Sequence, residues 1–194
     1  SSVTTHNSGD DYRRKPDSVG PAVPVCTVEV VDDAGREVPC GEVGEIWIKG
    51  PNVVKGYWAK PEATAATFTE GWLHTGDLGR MDEEGFVYVL DRAKDMLIRG
   101  GENVYCVEVE DALYSHPAVM DAAVLGRPHR ILGEEVVGVV QVKPEHDTSE
   151  AELIAHCRDR IAAFKVPVMI ELRHEPLPRN ANGKIMKHQL KAEL

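Results

Sequence analysis

Nowhere in the 194 residues does an apolar run approach the ~20 positions that cross a membrane as a helix, and no signal-peptide pattern opens the chain. The expectation is no membrane span and no secretory leader. Positive charge is the minority: 22 Lys and Arg face 32 Asp and Glu, for a formal net charge of -10. Such a surface argues against nucleic acid or an anionic membrane as the main partner, although a few local cations can still bind a small phosphate. Cysteine is scarce. The four thiols (Cys26, Cys40, Cys106, Cys157) are widely spaced without a C-x-x-C pair, which fits reduced thiols in the cytoplasm. The histidines scatter with neither H-x-x-x-H nor H-E-x-x-H spacing, so a metal centre or a Ser/His triad has no support and no metal ligands are expected. The G-x-x-x-x-G-K-[ST] phosphate loop is absent too.

What is present is enough apolar material, 42% of residues, for one large domain or two small ones. Residues 1–20 are polar and lack a periodic apolar face, so they are expected to be irregular. From Val25 to about Leu90 the pattern is β. Val28 and Val30 alternate with polar neighbours, Asp32-Asp33-Ala34-Gly35 carries turn chemistry, and Val43, Ile46 and Ile48 form a second run ending at Gly50-Pro51. A short helix is expected from Pro61 to Phe68, then strands over Trp72–Met81 and Phe86–Leu90 joined by a turn at Asp82–Gly85. Short strands at this spacing suggest a small barrel or an antiparallel sheet.

After Asp91 the pattern changes. Met96-Leu97-Ile98 stops at Gly100-Gly101, and Val109, Ala112 and Leu113 recur at helical spacing. Val119–Leu125 and the valine run Val136–Val142 read as strands, the second as a central one. Ser149 and Glu152 form a capping box ahead of a helix, Val168–Leu172 reads as a last core strand, and a Pro/Asn/Gly-rich loop leads to a short basic helix. The fold class expected is α+β: a small antiparallel β-barrel-like subdomain, then a compact α+β domain with a central, mostly antiparallel sheet. The expected boundaries are 1–20, 21–91 and 92–194.

Four segments invite a chemical reading beside a structural one. Asp77, in His74-Thr75-Gly76-Asp77, fits a turn cap, the reading its residues favour by themselves, or a carboxylate accepting from a vicinal diol. Asp91-Arg92-Ala93-Lys94-Asp95 fits a solvated linker, or a hinge whose cations reach a phosphate. Gly100-Gly101-Glu102-Asn103 fits a tight turn or a close backbone approach to a ligand. Lys184, in Pro178-Arg179-Asn180-Ala181-Asn182-Gly183-Lys184, is either an exposed amine or a cation that neutralises charge on a transferred phosphoryl or acyl group.

Together these segments resemble the adenylate-forming superfamily, specifically its acyl-CoA synthetases, in order from about Ser18 to Lys191. Ser18-Val19-Gly20-Pro21, Gly44-Glu45-Ile46-Trp47-Ile48-Lys49-Gly50 and Lys55-Gly56-Tyr57-Trp58 are similar to segments of the family's small β-subdomain. Thr75-Gly76-Asp77 resembles its TGD motif, Gly100-Gly101-Glu102-Asn103 its GGEN loop, and Pro178–Ile185 its terminal lysine motif. Gly126-Arg127-Pro128-His129 and Phe164-Lys165-Val166-Pro167 match two more. Cys106 departs from the Pro that commonly follows Tyr105.

The resemblance implies a two-step ligase in which a carboxylic acid and Mg-ATP give acyl-AMP, from which CoA displaces AMP. It implies that Asp77 and Arg92 hold the nucleotide and that Lys94 is the hinge of a mobile lid. Gly100, Gly101, Glu102 and Asn103 would line the CoA channel, and Lys184 would assist adenylation. ATP, Mg2+ and CoA are the implied cofactors and substrates, with a fatty acid or related carboxylic acid as the other. The family's Ser/Thr/Gly-rich phosphate loop and Y-G-x-T-E motif are not in this sequence. A missing N-terminal domain is therefore the expected partner, the chain alone is expected to be inactive, and its exposed interdomain surface is expected to favour a homodimer. Two alternatives stay open: the end of a carrier-loading adenylation domain, and a non-catalytic CoA- or partner-binding module.

Overall fold

Val28 and Val30 are buried while Thr27 is exposed, the period-2 signature of a strand with one core face. In the computed structural model, which describes residues 3–194, that strand belongs to the first of two units, one reaching to Lys94 and the other spanning Asp95–Leu194.

The opening segment is not wholly irregular. It contains α1 (Gly9–Arg14), which buries nothing and has acids in its first turn and bases in its last, as the helix dipole favours. Long-range ion pairs fasten its end: Arg14 to Glu84 at 2.6 Å, and Lys15 to Asp82 at 2.5 Å. No apolar period announces such a helix. The rest of this unit is β1 (Gly20–Pro21), β2 (Thr27–Val31), β3 (Gly44–Lys49), α2 (Pro61–Thr67), β4 (Phe68–Thr69), β5 (Trp72–Met81) and β6 (Phe86–Arg92). Its strands pair antiparallel in the order β1-β6-β5-β3-β2, with β4 beside the start of β5. Among the described residues the sheet stays open, so the barrel-like expectation resolves as an antiparallel sheet and not as a closed barrel. Val28, Ile46, Ile48 and Val87 form its small core.

Two turns of this unit share one construction. At Asp32–Arg36, the Asp32 Oδ1 accepts the amides of Ala34 (2.9 Å) and Arg36 (3.0 Å). At Asp82–Phe86, which joins β5 to β6, the Asp82 Oδ1 accepts those of Glu84 and Phe86, both at 3.0 Å. Each has glycine at its fourth position with positive φ, 72° at Gly35 and 79° at Gly85, where a side chain would be strained.

The second unit contains β7 (Leu97–Arg99), β8 (Glu102–Val104), α3 (Cys106–Tyr114), β9 (Val119–His129), β10 (Gly133–Val142), α4 (Glu150–Arg158), β11 (Met169–Arg173) and α5 (Lys187–Glu193), with one 3-10 turn at Ala163–Lys165. Strand β10 is central as its valines predict. It lies antiparallel to β9 and parallel to β11, and meets β7 at Gly133. Val136, Val137, Val139 and Val140 are all fully buried. One face of β9 and β10 packs on α3 and α4 through Leu113, Leu153 and Cys157. The opposite face, with Ala123, Leu125 and Val139, receives Leu177 and Leu190. Burial pushes the Cys157 thiol up to about 11, so it stays a neutral core side chain.

The capping box at α4 is half made. Ser149 accepts from the Glu152 amide at 3.2 Å, but the Glu152 carboxylate takes the Thr148 hydroxyl instead of closing the box. The sequence missed β8: three residues between a glycine pair and a helix are too few to show a period.

Candidate functional site

On the first unit, cross-strand register brings Asp77 of β5 opposite Arg92 of β6. The Arg92 Nε donates to Asp77 Oδ1 at 2.9 Å, and both side chains remain partly exposed, at 49% and 34%. A carboxylate and a guanidinium held side by side in this way suit a ligand with hydroxyls and a phosphate.

The backbone around Asp77 is tied down by residues to which the sequence reading gave no role. The Asp77 amide donates to Thr75 Oγ1 at 3.0 Å, and that hydroxyl donates to the Ile46 carbonyl at 2.7 Å. Glu45 accepts the Gly76 amide at 2.8 Å with one oxygen and the Trp47 indole N–H at 2.9 Å with the other. Trp47 stacks on His74 at 4.0 Å between centroids. The register of β5 against β3 slips between Glu45 and Trp47, and such bulges re-aim side chains. Asp91, beside Arg92, is buried and accepts the Arg92 amide at 2.7 Å. Lys94, exposed, is the last residue of this unit.

On the second unit, Gly100 and Gly101 are the two loop residues of the β7–β8 hairpin, whose last pair is Arg99 with Glu102. Both have positive φ, 64° and 89°, which a two-residue hairpin of the mirror-image type demands. A Cβ at Gly101 would meet nothing within 4 Å. Turn geometry thus accounts for the glycines without a ligand. Glu102 and Asn103 follow, both exposed.

Lys184 lies in a loop closed by an Arg179–Ile185 bridge and pinned at its base by buried Leu177 and Leu190. The Asn180 Oδ1 accepts the amides of Asn182 (2.9 Å) and Lys184 (3.0 Å). Arg179 donates to the Gly183 carbonyl and to Asp121, a nearly buried carboxylate that also takes the Tyr114 hydroxyl and the Ala122 amide. Burial and the Asp121 carboxylate push the Tyr114 phenol up. Three residues on, Lys187 pairs with Glu110 of α3 at 2.7 Å. Lys184 itself is exposed and makes no ion pair among the described residues. Asp121 and Glu110 escaped the sequence reading because an acid on a strand and an acid on a helix carry no local signal of the cations, Arg179 and Lys187, that packing brings to them.

The family described as "AMP-binding enzyme C-terminal domain" matches residues 108–184, and that described as "AMP-binding enzyme" matches residues 1–58. The long-chain-fatty-acid–CoA ligase of Bacillus subtilis (strain 168) is 45% identical over 193 residues, covering 99% of this chain and 34% of the ligase. The ligase of the same description from Escherichia coli O6:H1 is 43% identical over 176 residues, 91% of this chain and 31% of that protein. Among solved structures, o-succinylbenzoate CoA synthetase from Bacillus subtilis in complex with its acyl-adenylate intermediate superposes with a TM-score of 0.92. It is 40% identical, over 98% of this chain and 38% of the synthetase. The chain spans about a third of the length of these curated relatives. By both its sequence matches and its fold, the chain belongs to the adenylate-forming, AMP-binding enzymes and corresponds to their C-terminal part.

Proposed function

We propose that this chain is the C-terminal part of an ATP-dependent acid–CoA ligase that forms AMP through an acyl-adenylate, with a fatty acid or a related carboxylic acid as substrate. The observation that carries the reading is the Asp77–Arg92 pair, an acceptor and a cation side by side and open to solvent. In this role Asp77 accepts from the ribose hydroxyls and Arg92 faces the nucleotide. Mg2+ enters with ATP as part of that substrate. The names of the curated relatives described above, both long-chain-fatty-acid–CoA ligases, support CoA over a carrier protein as the acyl acceptor.

In the first step a carboxylate oxygen attacks the α-phosphorus of ATP and pyrophosphate leaves. Lys184 is the residue proposed to stabilise the charge gathering there. In the second step the CoA sulfur attacks the acyl carbon and AMP leaves. Gly100, Gly101, Glu102 and Asn103 are proposed to line the path of the CoA arm, and Lys94 to be the hinge of the lid, residues 92–194. The division of compact packing between Lys94 and Asp95 supports that hinge. The remaining N-terminal portion of such a ligase is the proposed partner of this chain. Homodimerisation of the isolated chain through exposed side chains such as Trp58 and Ile131 belongs to the same proposal. Among the described residues none of the four cysteines forms a disulfide, which fits a reducing compartment, the cytoplasm.

The test is thioester formation from acid, ATP and CoA by a full-length ligase carrying this chain, with and without Lys184→Ala. Preformed acyl-AMP plus CoA serves as the control. Loss of the overall reaction with the control spared supports the reading. Acyl-AMP formation without thioester from any acid would replace CoA by a carrier protein. The 194-residue chain alone is expected to release no pyrophosphate in response to any acid.

A further inference from the structure

The loop carrying Lys184 is built a third time on the plan of the two aspartate turns in the first unit. In all three, the first residue's Oδ1 accepts the amides two and four positions on, at 2.9–3.0 Å. The first residue's amide bonds to the fifth residue's carbonyl, and the fourth residue's amide bonds back to the first residue's carbonyl at 2.9 Å. The fourth residue is glycine at φ 72–79° each time. The sequences are Asp32-Asp33-Ala34-Gly35-Arg36, Asp82-Glu83-Glu84-Gly85-Phe86 and Asn180-Ala181-Asn182-Gly183-Lys184. Only the third begins with an amide.

The difference has a chemical consequence at the fifth position. In the first turn that residue is Arg36, and its guanidinium folds back on Asp32 Oδ2 through Nε at 3.0 Å and Nη2 at 2.7 Å. In the second turn the fifth residue is Phe86, and the spare oxygen of Asp82 draws in Lys15 at 2.5 Å instead. An aspartate starting this turn therefore acquires a cation in both copies, and it takes the fifth residue's own when one is there. In the third loop the fifth residue is Lys184.

We infer that Asn180 is a positioning residue for Lys184, and that its being an amide and not a carboxylate is what leaves the Lys184 ammonium uncaptured. The Asn180 Oδ1 fixes the loop backbone as well as an aspartate oxygen does. Its Nδ2 bears two hydrogens and no charge, so it offers a lysine nothing to pair with. Arg179, the other cation of the loop, is already occupied by Asp121 and the Gly183 carbonyl. The inference rests on the proposed role of Lys184 and concerns the residue that keeps that role open.

The decisive substitution is Asn180→Asp, which the molecule's own two copies show to be compatible with the turn. In the 194-residue chain it should leave the exchange of the Asn182 and Lys184 amides unchanged and bring the Lys184 ammonium against the new carboxylate, both followed by NMR. In a full-length ligase carrying the chain it should slow acyl-AMP formation on the order of tenfold at low salt. Added salt should relieve part of that, because screening weakens an exposed ion pair. Thioester formation from preformed acyl-AMP should fall less. Asn180→Ser, a smaller neutral acceptor, should retain more adenylation than Asn180→Asp. Wild-type adenylation by Asn180→Asp with its turn intact overturns the inference, and so does a loss that salt leaves untouched or that accompanies loss of amide protection. Should Lys184→Ala itself adenylate normally, the proposed role of Lys184 fails first, and that result is distinguishable from the others.

Discussion

Two turns of the second unit differ in how much their side chains hold them. The Gly100-Gly101 turn is fixed by backbone conformation: two residues at positive φ between three-residue strands, with one further bond from the Gly100 amide to the Leu132 carbonyl at 2.8 Å. The Asn180–Lys184 loop also has one glycine at positive φ, Gly183 at 79°, but side chains hold it as well, through the Asn180 side-chain oxygen, the Arg179–Asp121 pair and the buried leucines on either side. The first turn should tolerate any residue that accepts left-handed φ, while the second should respond to changes of acceptor and charge that leave φ alone. A turn proposed to line a channel needs a slim backbone, and a loop proposed to deliver one ammonium needs that group aimed.

The largest expected effect comes from undoing the pin beneath the second loop. Leu190 is fully buried against Ala123, Leu125 and Val139, so Leu190→Ala should cost about 2–5 kcal/mol in denaturant unfolding of the 194-residue chain. Amide protection at residues 180–186 should fall more than at residues 97–104. Equal loss in both turns would mean that they are not held independently.

Next is Gly101→Val. A β-branched residue at φ 89° is strained whatever the space, and a cost of about 1–3 kcal/mol is expected, with fraying of the β7–β8 pair. Gly101→Asn should cost less than about 1 kcal/mol, since Asn tolerates left-handed φ and a Cβ there meets nothing. Comparable costs for the two substitutions would mean that space, and not φ, governs this turn.

Asn180→Ala comes third. Removing the acceptor of two amides should cost about 1 kcal/mol and speed exchange at Asn182 and Lys184, with the Gly100-Gly101 turn unchanged. An exchange rate like that of wild type would show that the Arg179 bridge alone suffices.

The smallest effect is on pH. Burial by itself pushes the Asp82 carboxyl up, but bonds from Lys15, Tyr88 and the Phe86 and Glu84 amides outweigh it and hold it at about 2, below the ordinary 3.8. A carboxyl depressed on folding stabilises fully above the unfolded value and loses that contribution as pH falls toward 2. Between pH 4 and 2 the Glu84 and Phe86 amides should lose more protection than the Asn182 and Lys184 amides, whose acceptor, the Asn180 side-chain oxygen, carries no charge to lose. Lys15→Met should move the Asp82 midpoint up. Equal loss of protection at the Asp82 and Asn180 turns on acidification would mean that the charge of the accepting side chain is not the difference between them.

Much of the fold was legible because its elements depend on neighbours in sequence. The valine run Val136–Val142 announced a strand buried on both faces, and the Pro61 start, the Ser149 cap and the glycine-bearing turns marked element ends where they lie. The short helix α1 and strand β8 were not legible, since ion pairs to residues about seventy positions away hold the one and a hairpin partner holds the other. Asp77, Arg92 and Lys184 could be proposed from the sequence as site residues because their segments resemble those of one family. Glu45 and Asp121 were not, since each acts on groups that only strand pairing or packing brings near.

The sequence by itself determined where turns form, because positive φ and side-chain acceptors act over four or five residues. It also determined the character of each strand, because burial follows a period of two. Only the tertiary structure decided which charges meet. Cross-strand register set Asp77 beside Arg92, and packing of the terminal segment on β9 gave Arg179 to Asp121. Register and packing are settled by the cores of each unit, and the energy of a single ion pair is too small to choose them.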